Sequence, residues 1–161
     1  MNLGDAATWY AAVVGTAALA LEVRRWVEGR PKLYVNTTAG MSLVQNGHVS
    51  EEKYVSVNVT NRGQSATTIT HYCLFSYPSF WSRMRNKPSK TMIIPMANPA
   101  GGVQLPTILP QGHFWSGLAK QDEELTAQLE RGEIWAGIVA SHRKKPTYAK
   151  VKPPAKPKKD E

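Results

Sequence analysis

Four histidines, one cysteine and two small groups of carboxylates are the residues of this 161-residue chain best suited to catalysis or metal binding. His48, His71, His113 and His142 are far apart in sequence. None has the close histidine partner of a helical zinc motif, and Cys73 is a lone cysteine. Neither a metal site nor an intrachain disulfide is predicted. Nucleophilic catalysis needs a positioned nucleophile, a base and an oxyanion donor, and no Gly-x-Ser-x-Gly elbow occurs here. The carboxylates fall at Glu51-Glu52, read as a turn, and at Asp122 to Glu124, read as a helix start. Gly101-Gly102 and Gly112 match no phosphate-loop or dinucleotide pattern, so no cofactor and no enzymatic activity are predicted.

Two basic segments point instead to an anionic partner. One is the stretch Trp81-Ser82-Arg83-Met84-Arg85-Asn86-Lys87, followed by Lys90. Pairing an aromatic ring with guanidinium and ammonium groups suits a lipid headgroup layer or an acidic partner. The other is the Lys/Pro tail carrying Lys156, Lys158 and Lys159. Both also admit a plainer reading, a solvated loop and a disordered spacer. The chain carries a formal net charge of +8, much of it near the C-terminus. The rest is close to balanced, which argues against a broad nucleic-acid-binding face.

The N-terminus supplies the strongest organisational signal. Sixteen uncharged residues, Ala6 to Leu21, lie between Asp5 and Glu22, and Arg24, Arg25, Arg30 and Lys32 follow. Trp9 and Tyr10 stand near one end and Trp26 near the other. This pattern predicts a membrane anchor helix over residues 1–30, reading as a single transmembrane span if the charged residues after Leu21 snorkel. The acidic N-terminal flank argues against a cleaved signal peptide. The basic flank predicts an N-terminus outside and a domain on the cytoplasmic face of the inner membrane. Ala7, Ala11 and Gly15 recur at four-residue spacing, which would let two copies of the helix approach closely in lipid as a homo-oligomer.

Residues 31–151 are enough for one domain with its own core, and 152–161 form the basic tail. Pro31 stops the helix. Lys32 to Asn36 and Met41 to Val44 read as two strands, and Asn46-Gly47 as a tight hairpin turn. In Tyr54 to Thr60, Val55, Val57 and Val59 alternate with polar residues, the pattern of a half-buried strand. Thr67 to Tyr77 reads as a long strand with Ile69, His71, Cys73 and Phe75 inward. Pro78 to Lys90 reads as a loop. Further strands are predicted at Met92 to Ile94, Thr107 to Leu109, His113 to Leu118, Ile134 to Ser141 and Thr147 to Val151. One short helix begins at Asp122 and ends before Gly132.

The predicted fold class is mainly β, an antiparallel β-sandwich with one short helix, preceded by the N-terminal helix. The run Val55-Ser56-Val57-Asn58-Val59-Thr60-Asn61-Arg62-Gly63, followed by Thr68-Ile69-Thr70, resembles bacterial immunoglobulin-like modules. The layout is similar to uncharacterised bacterial single-pass membrane proteins that carry such a domain. The resemblance implies architecture and no activity. The function expected is a membrane-anchored protein-interaction or accessory module, with the lipid bilayer and an unidentified protein as partners. The alternative is a membrane-tethered binder of nucleic acid or an anionic ligand, working through residues 83–90 and the tail.

Overall fold

The computed structural model describes residues 3–45, 47–98 and 101–153. The elements in chain order are α1 (Leu3–Glu28), β1 (Leu33–Gln45), β2 (His48–Asn61), β3 (Thr67–Ser76) and α2 (Phe80–Met84). They continue with β4 (Lys90–Ile93), β5 (Thr107–Leu109), β6 (Phe114–Gln121), α3 (Glu123–Glu130), β7 (Ile134–Ala140) and β8 (Thr147–Lys150). The chain is mainly β, and every strand pairing among the described residues is antiparallel.

One sheet has the order β1-β2-β6. The other has the order β4-β3-β7-β8, with β5 on β3 beyond the end of β4. The core lies between them. Val55, Val57 and Val59 are fully buried on β2, as their alternation requires. They meet Ile69, Tyr72 and Leu74 of β3 and Ile134, Ala136 and Ile138 of β7. Burying a Val or Ile side chain contributes about 1.5–3 kcal/mol, so this seam is the main apolar support of the fold. Leu125 and Leu129 of α3 close one end of the core. Asp122 caps α3 by accepting from the Leu125 amide at 2.7 Å, and Gly132 follows at φ 70°.

Several expectations change in detail. The two strands expected between Lys32 and Val44 are one strand, β1, whose register shifts between Thr38 and Met41 around Gly40 at φ 75°. A glycine in that conformation lets the strand jog without ending. The hairpin turn closes between Gln45 and His48. Gly47 has φ 79°, while Asn46 lies outside the described residues. On β3 the inward set is Ile69, Tyr72 and Leu74, while His71 is exposed. Between Ile69 and His71 the strand advances two residues while β7 advances one, from Ala140 to Val139. That extra residue inverts the alternation, so Cys73 and Phe75 move to the outer face. The segment expected as a loop after Pro78 contains α2, whose capping box pairs Ser79 with Ser82.

The N-terminal helix forms over 26 residues, but no helix among the described residues is long and apolar enough to cross a membrane. Seven alanines, Thr8, Gly15 and Thr16 dilute the sixteen-residue run, and Glu22, Arg24 and Arg25 end it early. The structure thus shows α1 as a long helix with a short, weakly apolar centre and does not show the expected transmembrane span.

Candidate functional site

Three features could carry function: the surface of α1, its junction with the domain, and the segment around α2. Along α1 every side chain from Ala7 to Val27 is exposed. Trp9, Tyr10, Val13, Leu19, Leu21 and Trp26 are each more than 60% exposed and share one helix, unlike the singly scattered apolar residues of an ordinary surface. Ala7, Ala11 and Gly15 lie on this helix, and a Cβ at Gly15 would touch nothing within 4 Å. The domain therefore covers no part of that stripe.

The junction is built on Asn61, which is fully buried. Its side-chain amide donates to the carbonyl oxygens of Ser65 (2.8 Å) and Leu109 (3.0 Å). Its side-chain oxygen accepts from the Gly63 amide at 3.0 Å and the Lys32 amide at 3.4 Å. The Arg62 amide donates to the Lys32 carbonyl at 2.8 Å, and the Ser65 hydroxyl donates to the Gly29 carbonyl. Gly63 must be glycine here, because a Cβ would overlap the backbone of Arg30, Pro31 and Lys32. The Asn-x-Gly turn thus fastens the segment leaving α1 to β2 and β5.

The strand registers then fix two ends of the domain. Leu33 pairs with Asn61 at the helix end, and Gln45 with His48 at the far end. β3 starts at the helix end and reaches the far end at Ser76, beside Lys90 of β4 and Ile134 of β7. Ten residues at about 3.3 Å each separate the two ends by roughly 30 Å. The segment 78–90 and the last strand residue, Lys150, both lie at the far end.

There, Arg83 sits in an aromatic box on the outer face of the second sheet. Its guanidinium carbon is 4.3 Å from the ring centre of Tyr148, 4.6 Å from Trp135 and 5.2 Å from Tyr77. Asn86, at φ 50°, accepts from the Tyr77 hydroxyl (2.9 Å) and the Tyr148 hydroxyl (3.0 Å). Burial, with the neighbouring Tyr148 hydroxyl, pushes the Tyr77 phenol up to about 12. Phe75 completes the cluster, and a Cβ at Gly137 would run into its ring. Cys73 lies in the same cluster, and burial raises its thiol, which suits a packing residue better than a nucleophile.

The box divides the basic candidates. Arg83 is held by aromatic faces, and its Nε is buried without a hydrogen-bond partner among the described residues. Lys90 pairs with Glu124 at 2.6 Å. Arg85 and Lys87 are exposed, and no ion pair to either is seen among the described residues. Lys156, Lys158 and Lys159 lie outside the described residues. What α2 presents to solvent is chiefly apolar. Phe80, Trp81 and Met84 are 72, 67 and 63% exposed, with the Phe80 and Trp81 rings edge to face at 6.3 Å. Sequence reasoning missed Tyr77, Trp135 and Tyr148 as partners of Arg83, because they come from three separate segments.

A cavity of about 220 Å³ adjoins the box, between Phe80, Arg83, Arg131, Glu133 and Lys150. Arg131 is committed to Glu133 at 3.1 Å. A second, more apolar cavity of about 380 Å³ lies between Val103, Ile108, His113, Phe114 and Trp115. The four histidines do not converge, and among the described residues no group of three His, Cys, Asp or Glu side chains could hold a metal.

No family model and no curated protein matches the chain. A solved structure described as an X-ray structure of a Northeast Structural Genomics Consortium target is similar at 13% identity. The alignment covers 83% of this chain and 92% of that one, with a TM-score of 0.32. A likeness at that level carries no functional argument.

Proposed function

We propose that this protein is a membrane-anchored interaction module, in which α1 seats in a bilayer and the β-domain presents a protein-docking surface at its opposite end. The observation that carries this reading is the placement of two uncovered apolar surfaces, α1 and α2, at the opposite ends of a β-domain whose ends are about 30 Å apart. Ala6 to Leu21 carries no charged residue on any side, so this exposed helix lacks the polar face that a solvated helix needs. Lipid would cover Val13, Val14, Leu19, Leu21 and Val23, each worth about 1.5–3 kcal/mol when removed from water. Trp9 and Trp26, about 25 Å apart along the helix, suit two interfacial levels. Glu22, Arg24 and Arg25 would reach the headgroups by snorkelling, with local thinning of the bilayer around a short apolar centre. The basic exit favours the cytoplasmic face for the domain.

At the far end, α2 offers Phe80, Trp81 and Met84 on a scaffold braced by Arg83. Aromatic anchors on a rigid support are the usual centre of a protein interface. The immunoglobulin-like reading belongs to the same proposal. It is supported by the division of strands, with the first, second and sixth in one sheet and the third, fourth, seventh and eighth in the order of the other. The position of β5 on the edge of β3 departs from the usual pattern.

Co-purification of the full chain from detergent-solubilised membranes tests the docking surface. Phe80→Ser with Trp81→Ser should abolish recovery of a partner that wild type captures, while Arg85→Ala with Lys87→Ala retains it. Loss with the second pair alone would transfer the role to the basic loop and contradict the proposal.

A further inference from the structure

Resting on the reading of α1 as a bilayer anchor, we infer that the helix end of the β-domain is itself a lipid-contact surface, built to lie on an anionic leaflet. Three loops meet at this end: residues 62–66, 110–113 and 141–146. Backbone hydrogen bonds join them. The Asn61 amide donates to the His113 carbonyl at 3.0 Å, and Gly112 donates back to the Asn61 carbonyl at 2.8 Å. The Ser141 amide donates to the Thr68 carbonyl at 2.9 Å, and Thr67 meets His142 at 2.7 Å.

These loops and the segment leaving α1 carry Arg30, Lys32, Arg62, Arg143, Lys144 and Lys145, all exposed. Not one Asp or Glu occurs in residues 29–32, 62–66, 110–113 or 141–146. The charge is therefore segregated: the acids of the domain lie on β2, around α3 and in the tail, and the carboxylate next to these segments in sequence, Glu28 at the end of α1, is paired with Arg24 at 2.9 Å. Two of the arginines are held in place by rings. Arg30 lies 3.8 Å over Trp26, an aromatic residue at the end of α1, and Arg62 lies 4.4 Å over Tyr34.

Position decides the occupant. Asn61 and Gly63 fasten this end to the segment leaving α1, so a bilayer that receives α1 faces these six cations within its own headgroup layer. Four to eight Lys or Arg residues beside a membrane-inserted helix are enough to select anionic lipid. The basic residues near α2 are about 30 Å further away, well beyond the Debye length of about 8 Å at physiological salt. They add little to attraction by the same leaflet. The sequence alone points to those distal residues, and the strand registers transfer the role to the helix end.

Flotation of the full chain with vesicles tests this. One set is phosphatidylcholine; the other is phosphatidylcholine with phosphatidylserine. Binding to the neutral vesicles reports α1, and the excess on acidic vesicles reports the basic end. Each cation near the surface is worth roughly fivefold in partitioning. Arg62→Glu with Lys144→Glu and Lys145→Glu should cut the acidic excess at least tenfold and leave neutral binding unchanged. Arg85→Glu with Lys87→Glu, at the far end, should leave both unchanged. All five side chains are exposed, so the melting transition is expected to hold and serves as the folding control. An undiminished acidic excess in the triple variant overturns the inference while leaving the anchor reading intact. Failure of the wild-type chain to float with either vesicle overturns the anchor reading, and the inference with it.

Discussion

The side-chain amide of Asn61 donates to the backbone carbonyl of Leu109 at 3.0 Å, joining the end of β2 to β5 inside a fully buried pocket. The same side chain also serves Ser65, Gly63 and Lys32, so one residue ties the segment leaving α1 to both sheets. Asn61→Ala would leave these buried groups unpaired, at roughly 1–3 kcal/mol for each group left unsatisfied. A loss of about 3 kcal/mol or more is expected in chemical denaturation. A variant within about 1 kcal/mol of wild type would show that the junction does not depend on this side chain.

Arg83 is a bracing residue rather than a free cation. Stacking on a ring is worth about 0.5–1 kcal/mol when exposed and about 2 when desolvated. Arg83→Ala should destabilise the domain by about 1–2 kcal/mol and change Trp135 fluorescence. Arg83→Lys should recover only part of this, because a compact ammonium lacks the planar face that stacks. Full recovery by lysine would reduce the box to simple charge.

His142 gives the helix end a pH dependence. Burial, with Arg143 beside it, lowers its imidazole from the ordinary 6.5. The folded state therefore takes up this proton less readily than the unfolded state. The stability it contributes is complete above about pH 6.5 and is lost as pH falls through the depressed folded value. Melting temperature in wild type should drop more between pH 7 and pH 5 than in His142→Asn, at equal ionic strength. Parallel curves for the two proteins would remove His142 as the source.

Much of the β-domain is legible in its residues. The Val55-Val57-Val59 alternation, Asp122 as helix cap and Gly47 in the tight turn all have local causes. What escapes is non-local. Thr70 marks a bulge only because β7 advances one residue where β3 advances two, and that shift exchanges His71 for Tyr72 in the core. The Asn61-x-Gly63 turn is visible as a motif, but its grip on Lys32 and Leu109 depends on segments 29 and 48 residues away. The basic loop is visible as composition, yet its arginines differ in role. Arg83 is enclosed by rings from β7 and β8, while Arg85 stands free of that box. The uncharged run Ala6 to Leu21 is legible as a helix, but its apolar character is weak, because alanine supports helix formation without adding much apolar surface.

Whether α1 holds the chain in a bilayer is decided by fractionation of cells expressing the full chain. Wild type should sediment with membranes and stay there through high salt and alkaline carbonate, dissolving only in detergent. Val13→Asp with Val14→Asp and Leu19→Asp, on a helix the domain does not touch, should release the protein to the soluble fraction with its melting transition intact. Wild-type chain found soluble, or stripped from membranes by salt alone, would show that α1 is not a bilayer anchor.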